Sequence, residues 1–235
     1  MIFTSPFPDV DIPDVTFDDF VLAAARDHAD KAALVDAGSG RTVTYGELAG
    51  LVDTAAAGLA ARGFGKGQVF AISLPNLPEY AVAFLAAMRA GGTVTTVNPL
   101  NTPEEINKQL HDSKARFVLT IPQLLAGAQE AAAGSGVEEI FVLGGGENDT
   151  GAGATPITEL FGSGSARPEV NVDPGDVAVL PYSSGTTGTA KGVMLSHRNL
   201  VAAISQALPL LDAGPDDVGL AVLPFFHIYG MVVTL

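Results

Sequence analysis

The chain reads Val177-Ala-Val-Leu-Pro-Tyr-Ser-Ser-Gly-Thr-Thr-Gly-Thr-Ala-Lys-Gly192 where a run of apolar residues gives way to a run of hydroxyls. The apolar residues predict a buried strand, and Ser196 is the predicted N-cap of a helix that follows. Between them, five hydroxyls and two glycines stand side by side from Ser183 to Thr189, and Lys191 follows. Glycines let backbone N–H groups approach a ligand, and N–H groups, hydroxyls and an ammonium together bind phosphate. The stretch therefore predicts a nucleotide loop between a strand and a helix.

The placement of charge supports this prediction. The 235-residue chain is acidic, with 12 Lys and Arg against 26 Asp and Glu and a formal net charge of −14. No acidic residue occurs from Val177 to Leu211, a window that holds Lys191 and Arg198. Such a window suits a polyanionic ligand because it does not repel it. The alternative for this composition is a flexible Ser/Thr/Gly linker, but linkers are seldom entered by an apolar strand and left by an apolar helix.

The loop departs from two better-known nucleotide motifs. In a Walker A loop a glycine precedes the lysine and a hydroxyl follows it, whereas here Ala190 precedes Lys191 and Gly192 follows. No Gly-x-Gly-x-x-Gly follows a predicted strand, so a dinucleotide-binding fold has no support.

Composition excludes several classes of function. The absence of cysteine excludes disulfides, thiolate metal sites and a cysteine nucleophile, so any thioester chemistry must use an external thiol. Acidity argues against a nucleic-acid partner. The longest apolar stretch, near Tyr80 to Met88, is too short for a membrane span, and the proline-broken start does not resemble a signal peptide. We expect a soluble, cytoplasmic protein.

Strands and helices alternate along the chain, which indicates an α/β fold with mostly parallel sheets flanked by helices. Helices are predicted behind the capping box Thr44-x-x-Glu47, over Tyr80 to Arg89, behind the N-cap Thr102, and over His197 to about Leu208. Strands are predicted over residues 68–74, 93–97, 116–120, 138–143, 177–182 and 219–223.

The chain divides into two predicted subdomains. Residues 144–176 are rich in Gly, Pro, Ser and Asp and predict a connection between an N-terminal α/β subdomain, 1–143, and the start of a second, 177–235. The sequence stops within an apolar segment, Met231-Val-Val-Thr-Leu235, whereas natural termini usually carry polar residues. We therefore expect the first half of a longer enzyme, whose missing C-terminal region is its partner.

Three segments carry a resemblance to a known family. Ser183-Ser-Gly-Thr-Thr-Gly-Thr-Ala-Lys-Gly192 resembles the phosphate loop of the adenylate-forming, or AMP-binding, enzymes. Val97-Asn-Pro-Leu-Asn-Thr-Pro-Glu-Glu-Ile-Asn-Lys-Gln109 and Pro224-Phe-Phe-His-Ile-Tyr-Gly230 resemble the 4-coumarate–CoA ligase branch, which luciferases adjoin. Family members often have proline at the position where this chain has Ala190. Alanine there changes the stiffness of the loop but leaves its backbone donors intact. The resemblance implies the N-terminal portion of the large adenylate-forming domain.

The resemblance also implies a reaction. A carboxylate attacks the α-phosphorus of ATP to give an acyl-adenylate and pyrophosphate, and the thiol of coenzyme A then displaces AMP. The loop would bind the β- and γ-phosphates, Lys191 would be the catalytic cation, and Thr187 is the expected contact to Mg²⁺. The implied phosphate-binding residues are Ser183, Ser184, Gly185, Thr186, Thr187, Gly188, Thr189 and Lys191.

His227 is the second implied catalytic residue. On spacing alone, a histidine between Phe226 and Ile228 is more often a core residue than a catalytic one. The resemblance reverses that judgement and places His227 beside the α-phosphate and the attacking carboxylate. Tyr229 resembles the residue that lines the acyl or aryl pocket, and an apolar Val233 favours cinnamate or a fatty acyl group over a hydroxylated aryl substrate.

Other polar residues are predicted to have no catalytic role. His197 and Arg198, at a helix start behind the loop, are expected either to support the site from behind the residues that contact the ligand or to be merely solvated. His28 and His111 are expected to lie in polar helices. The aspartates match no Ca²⁺ loop and predict an exposed acidic segment; they are Asp9, Asp11, Asp14, Asp18 and Asp19.

Three functions stay open at this stage. They are a carboxylate–CoA ligase, a non-catalytic nucleotide-binding fragment, and an adenylating relative with another acceptor, such as a luciferase-like enzyme. A fatty acyl-CoA synthetase belongs with the last.

Overall fold

The computed structural model describes residues 6–144, 153–162, 169–183, 190–211, 214 and 216–235. Its strands are β1 Ala32–Val35, β2 Thr42–Thr44, β3 Val69–Ile72, β4 Thr93–Thr96, β5 Ala115–Thr120, β6 Glu139–Val142, β7 Thr155–Pro156, β8 Val177–Ser183, β9 Lys191–Gly192 and β10 Leu195–Ser196. Its α-helices are α1 Phe17–Leu22, α2 Tyr45–Ala61, α3 Pro78–Arg89, α4 Pro103–Ser113, α5 Leu125–Ala132, α6 His197–Ala207 and α7 Ile228–Val233.

One mixed, mostly parallel sheet organises the molecule. Its order is β10-β8-β4-β3-β5-β6-β7, and β9 pairs with β8 outside this path. The pairs from β8 through β4, β3, β5 and β6 to β7 are parallel, whereas β9 and β10 run antiparallel to β8. The predicted α/β class with a mostly parallel sheet is confirmed.

The sheet is buried at its centre because its strands are apolar on both faces. All four residues of β3 are buried between β4 and β5. Strands covered by helices on both sides have such continuous apolar runs, since neither face meets water. Four phenylalanines fill one side of this core, with ring centroids 5.5 to 6.5 Å apart; they are Phe64, Phe70, Phe117 and Phe141.

Capping boxes begin three of the helices. At the start of α2, the Thr44 hydroxyl accepts a hydrogen bond from the Glu47 N–H at 3.2 Å, and the Glu47 carboxylate accepts one from the Thr44 N–H at 2.8 Å. Thr102 and Ser196 form equivalent caps on α4 and α6. These bonds satisfy donors that a helix start otherwise leaves free, so all three predicted N-caps are confirmed.

The order of the parallel strands predicts a ligand site at the carboxyl ends of β3, β4 and β8. The chain goes from β3 outward to β4 and then returns to place β5 on the other side of β3. Much later it adds β8 outside β4, with Pro181 opposite Thr96. Ligands of open α/β sheets bind beyond the carboxyl ends of such strands. The division at 144–176 stays a prediction, and β8 lies in the same sheet as β3 to β6.

Three sequence-based predictions are wrong. Residues 219–223 form no strand, and Val218, Leu220 and Val222 are 94%, 78% and 72% exposed, because their apolar side chains find no second layer in the part of the chain that is described. His28 lies in a turn, not a helix, with its ring 6.5 Å from that of Tyr45. Asp18 is buried because it forms an ion pair with Arg89, so the acidic segment is not exposed throughout.

Several elements have no counterpart in the sequence-based predictions. They are the β1–β2 hairpin, the two-residue strands β7, β9 and β10, and the short helices α1, α5 and α7. None of the helices in the described ranges is long and apolar enough to cross a membrane.

Candidate functional site

The structure describes only the two ends of the predicted phosphate loop. We call these ends, Tyr182 and Ser183 of β8 and Lys191 and Gly192 of β9, the neck of the loop. Strands β8 and β9 pair antiparallel, so Ser183 stands opposite Lys191 and Tyr182 opposite Gly192. This pairing fixes where the loop leaves the sheet and where it returns. Ser183 and Lys191 are both exposed. The other predicted loop residues lie outside the described residues; they are Ser184, Gly185, Thr186, Thr187, Gly188 and Thr189.

Tyr182 explains why a glycine follows the lysine. A Cβ on Gly192 would lie 3.1 Å from the Tyr182 ring, which is tighter than ordinary contact. The Tyr182 hydroxyl donates a hydrogen bond to the Asp112 carboxylate. Burial raises the pKa of Tyr182, and the bond to Asp112 raises it further, so the phenol keeps its proton. The neck therefore carries the neutral ring of Tyr182 opposite Gly192, next to the exposed Lys191.

His227 is the N-cap of α7, and its side chain is exposed. Its Nδ1 accepts a hydrogen bond from the Tyr229 N–H at 3.3 Å. A ring nitrogen that accepts carries no proton, so in the neutral imidazole the proton is on Nε2. The Nε2–H is then a donor on an exposed side chain, while Nδ1 serves the helix that the histidine caps.

The two predicted substrate contacts lie on the same helix. Tyr229 and Val233 are four residues apart on α7, a spacing that places side chains on one face of a helix. Both side chains are about half exposed. They form an apolar, accessible surface next to the N-cap histidine.

Thr96 brings the loop neck and the histidine segment together. It ends β4, where it stands opposite Pro181 of β8, two residues before Ser183. Its hydroxyl donates a 2.7 Å hydrogen bond to the carbonyl of Phe226, the residue before His227. Lys191 and His227, which are 36 positions apart by their numbers, are therefore held at the carboxyl edge of the same sheet. No carboxylate within the described ranges forms an ion pair with Lys191.

Sequence reasoning missed two residues of this site. One is Thr96, and the other is Asn76, whose side-chain amide forms hydrogen bonds with the backbone of Ala221, Leu223 and Phe225, ahead of His227. Each is a polar residue at or just after the carboxyl end of a buried strand, which is the only local signal that points to them. Their partners are 130 to 149 positions away in the sequence, so the contacts follow from the fold and not from any motif.

His197 is not solvated, so one of its two predicted alternatives is wrong, whereas Arg198 does lie at the surface. His197 is only 1% exposed, and its Nδ1 accepts a 3.0 Å hydrogen bond from the Phe17 N–H. The ring is buried because α1 packs across the start of α6. Arg198, the next residue, is exposed and forms an ion pair with Asp14.

The described residues are compatible with MgATP. They contain no group of three His, Asp or Glu side chains arranged as a metal cage. Mg²⁺ at nucleotide sites is usually held by one or two protein ligands together with phosphates and waters, so such a cage is not required. The neck carries an ammonium and a hydroxyl, and His227 carries an imidazole N–H; donors of these kinds suit a polyphosphate.

Curated relatives are similar in sequence to this chain along nearly its whole length. The chain is 42% identical over 240 residues to 4-coumarate–CoA ligase 5 of Oryza sativa subsp. japonica and 36% identical over 236 residues to the 4-coumarate–CoA ligase of Pinus taeda. Both alignments cover 98% of this chain, but only 42% and 43% of the relatives. The chain thus spans less than half the length of the curated relatives it matches.

Solved structures share the fold. A long-chain-fatty-acid–CoA ligase from Archaeoglobus fulgidus superposes with a TM-score of 0.86 at 29% identity, over 98% of this chain and 47% of that one. A red-emitting luciferase from Phrixothrix hirtus superposes with a TM-score of 0.84 over 94% of this chain and 44% of that one, and at 21% identity it shows likeness of fold alone. The AMP-binding enzyme family matches residues 21–235. The predicted resemblance is confirmed, and the chain belongs to the AMP-binding enzyme family.

Proposed function

We propose that this chain carries the adenylate-forming site of an ATP-dependent carboxylate–CoA ligase of the 4-coumarate and cinnamate type. The observation that carries the proposal is the Thr96 bond to the Phe226 carbonyl, which joins the neck of the predicted phosphate loop to the segment of His227. The named relatives, which are 4-coumarate–CoA ligases, support the class of substrate.

Lys191 would neutralise charge on the leaving pyrophosphate. Adenylation brings an anionic carboxylate to an anionic triphosphate, so the barrier contains a large electrostatic term. Because Lys191 is paired across from Ser183, its position is set by the register of two strands. One preorganised donor aimed at developing charge lowers such a barrier by about 3 kcal/mol. The loop from Ser183 to Thr189 would add hydroxyl and backbone donors to the β- and γ-phosphates.

His227 would orient the reacting groups. Its exposed Nε2–H can donate to an oxygen of the α-phosphate or of the attacking carboxylate, while Nδ1 stays bound to the Tyr229 N–H. A carboxylate nucleophile has no proton to lose, so His227 is an orienting and charge-stabilising group and not a general base. Substitution by glutamine keeps an N–H donor at a similar reach.

The remaining participants are proposed from the family. Mg²⁺ would neutralise phosphate charge, with Thr187 as its protein contact. Coenzyme A would be the thiol acceptor of the second half-reaction. Tyr229 and Val233 would line the acyl pocket, where an apolar Val233 favours cinnamate or a fatty acyl group over coumarate. A luciferase-like relative would share the first half-reaction and differ in the acceptor.

The test is carboxylate-dependent exchange of pyrophosphate into ATP, measured on the 235-residue chain and on the full product of its gene. Cinnamate, coumarate and medium-chain fatty acids are compared as substrates. We expect Lys191→Ala to slow adenylation roughly 100-fold and to change thiol transfer from supplied acyl-adenylate much less. Lys108→Ala is the matched control, since it removes the same charge from an exposed lysine on α4.

The outcomes separate the open functions. Exchange that depends on Lys191 and not on Lys108 supports a ligase or another adenylating enzyme, and thioester formation with coenzyme A then distinguishes the two. MgATP binding without exchange in either form of the protein indicates a non-catalytic nucleotide-binding role. Equal loss of both half-reactions in Lys191→Ala contradicts a phosphate-binding loop, and a clear preference for coumarate contradicts the role given to Val233.

A further inference from the structure

The segment that leads to His227 is irregular, with a bend at Leu223 and a turn at Phe225 and Phe226, and it pairs with no strand within the part of the chain that is described. Instead, the side chain of Asn76 forms three hydrogen bonds with the backbone of this segment. The Asn76 amide donates to the carbonyls of Ala221 and Leu223 at 3.0 and 2.8 Å, and its oxygen accepts from the Phe225 N–H at 2.9 Å. These three backbone groups belong to every second residue of the segment, so one side chain holds it at three successive points.

Two further contacts hold the same segment from its other end. The Phe225 ring is buried against Tyr80, with the ring centroids 5.5 Å apart. The Thr96 hydroxyl binds the Phe226 carbonyl at 2.7 Å. The Asn76 and Thr96 side chains bond the backbone between residues 221 and 226, immediately before the exposed histidine.

Thr96 lies in a strand, and Asn76 lies in the short loop that joins a strand to a helix. Asn76 follows β3 and precedes α3, and Thr96 is the last residue of β4. Both strands are central in the sheet, and Thr96 is itself buried. Precise placement of a catalytic group requires support of this kind, because misplacement by about 1 Å can lower a rate 100-fold.

We propose that Asn76 and Thr96 are positioning residues that set the placement of the His227 imidazole for adenylation. The inference rests on the proposed function for its catalytic consequence, but the placement of His227 can be measured without it. Neither residue is proposed to contact ATP or the carboxylate. Each acts through the backbone of residues 221–226.

The kinetic test compares three variants in the full product of the gene. Asn76→Ala removes the amide, and Thr96→Val removes one hydroxyl with little change in shape. Thr93→Val is the matched control, because its hydroxyl also bonds a backbone carbonyl from β4, that of Val177 at 2.8 Å, far from the His227 segment in sequence. We expect kcat of the exchange reaction to fall about tenfold in Asn76→Ala and Thr96→Val, with the KM for ATP within about twofold of the parent. Thr93→Val should keep the parent kcat.

The structural test uses the 235-residue chain with ¹³C-labelled histidine. The four histidine ring signals are recorded, and that of His227 is assigned by its loss in His227→Gln. We expect the His227 signal to shift in Asn76→Ala and Thr96→Val and to stay in place in Thr93→Val, while the His111 signal moves in none. A general loss of folding would shift all four histidine signals. If Asn76→Ala does not fold, the His227 signal of Thr96→Val alone tests whether these side chains set the placement of His227.

The two tests separate the two ideas. If the parent shows no exchange but the His227 signal moves in the two variants as expected, the proposed function fails, and the placement of His227 by Asn76 and Thr96 stands without its catalytic consequence. If exchange is present and both variants retain the parent kcat with an unmoved His227 signal, the positioning role is overturned and the proposed function is unaffected. A kcat that falls equally in Thr93→Val also overturns it, because the effect then belongs to the sheet as a whole.

Discussion

Burial determines the charge of His197. Its Nδ1 accepts the Phe17 N–H, an arrangement that needs an unprotonated nitrogen. Burial lowers the pKa of His197 below its ordinary value of 6.5, against the opposing effect of Asp18, Asp176 and Asp19. The folded protein therefore binds this proton less readily than the unfolded chain does.

This pKa shift predicts a loss of stability in acid. As pH falls below about 6.5, the unfolded chain gains a proton that the native state excludes, so the free energy of unfolding falls by at most about 1.4 kcal/mol per pH unit. His197→Asn keeps an acceptor for the Phe17 N–H and should remove this part of the pH dependence. Urea unfolding between about pH 7.5 and about pH 5.5 measures the difference in slope.

The matching control is His111→Asn, which changes an exposed histidine on α4 and should keep the parent's pH dependence. An unchanged slope in His197→Asn would mean that the native state accepts the proton, which contradicts the hydrogen bond from Phe17.

At the scale of the element, two glycines of α2 that look alike in sequence have opposite roles. A Cβ on Gly58 would lie 2.1 Å from the carbonyl oxygen of Leu160, whereas a Cβ on Gly50 would meet nothing within 4 Å. Gly58 therefore lets the helix approach the segment Ile157–Leu160, and Gly50 only weakens the helix.

Alanine at these two positions should change stability in opposite directions. We expect Gly58→Ala to destabilise the protein by about 3 kcal/mol, since the clash is with backbone that cannot rotate away. Gly50→Ala should stabilise it by up to about 1 kcal/mol through helix propensity. Thermal and urea unfolding of the two variants gives both values, and a change of the same sign in both would contradict the close contact at Gly58.

The helices and strands also show which elements can be predicted from local sequence. Helix starts at Thr44, Thr102 and Ser196 were predictable because a cap and the donors it satisfies lie within three residues of each other. The strand predicted at 219–223 was wrong because its apolar pattern is local, whereas its backbone partner is the Asn76 side chain 145 positions away. The site follows the same division: the loop and His227 lie in motifs, while Thr96 and Asn76 depend on strand order.

At the scale of the whole molecule, a buried arginine joins the N-terminal segment to the core. Arg89, at the end of α3, has its Nε 3.0 Å from an Asp18 oxygen, in an ionic contact that lacks hydrogen-bond geometry. Asp19 and Asp53 each approach the same guanidinium at 3.3 Å, but both are far more exposed. Three helices, α1, α2 and α3, therefore meet at one positive charge.

Asp18→Asn should weaken the attachment of the N-terminal segment to the fold. Removing one partner of a buried pair leaves charge uncompensated, and we expect the free energy of unfolding to fall by about 3 kcal/mol, near the low end for such pairs because two carboxylates remain. Asp19→Asn is the control and should change it by less than about 1 kcal/mol, as exposed pairs do. Urea unfolding at neutral pH measures both. Equal, small effects would mean that Arg89 is balanced by its exposed partners alone, and that α1 is held by the Phe17 packing against Phe84 and not by its charge.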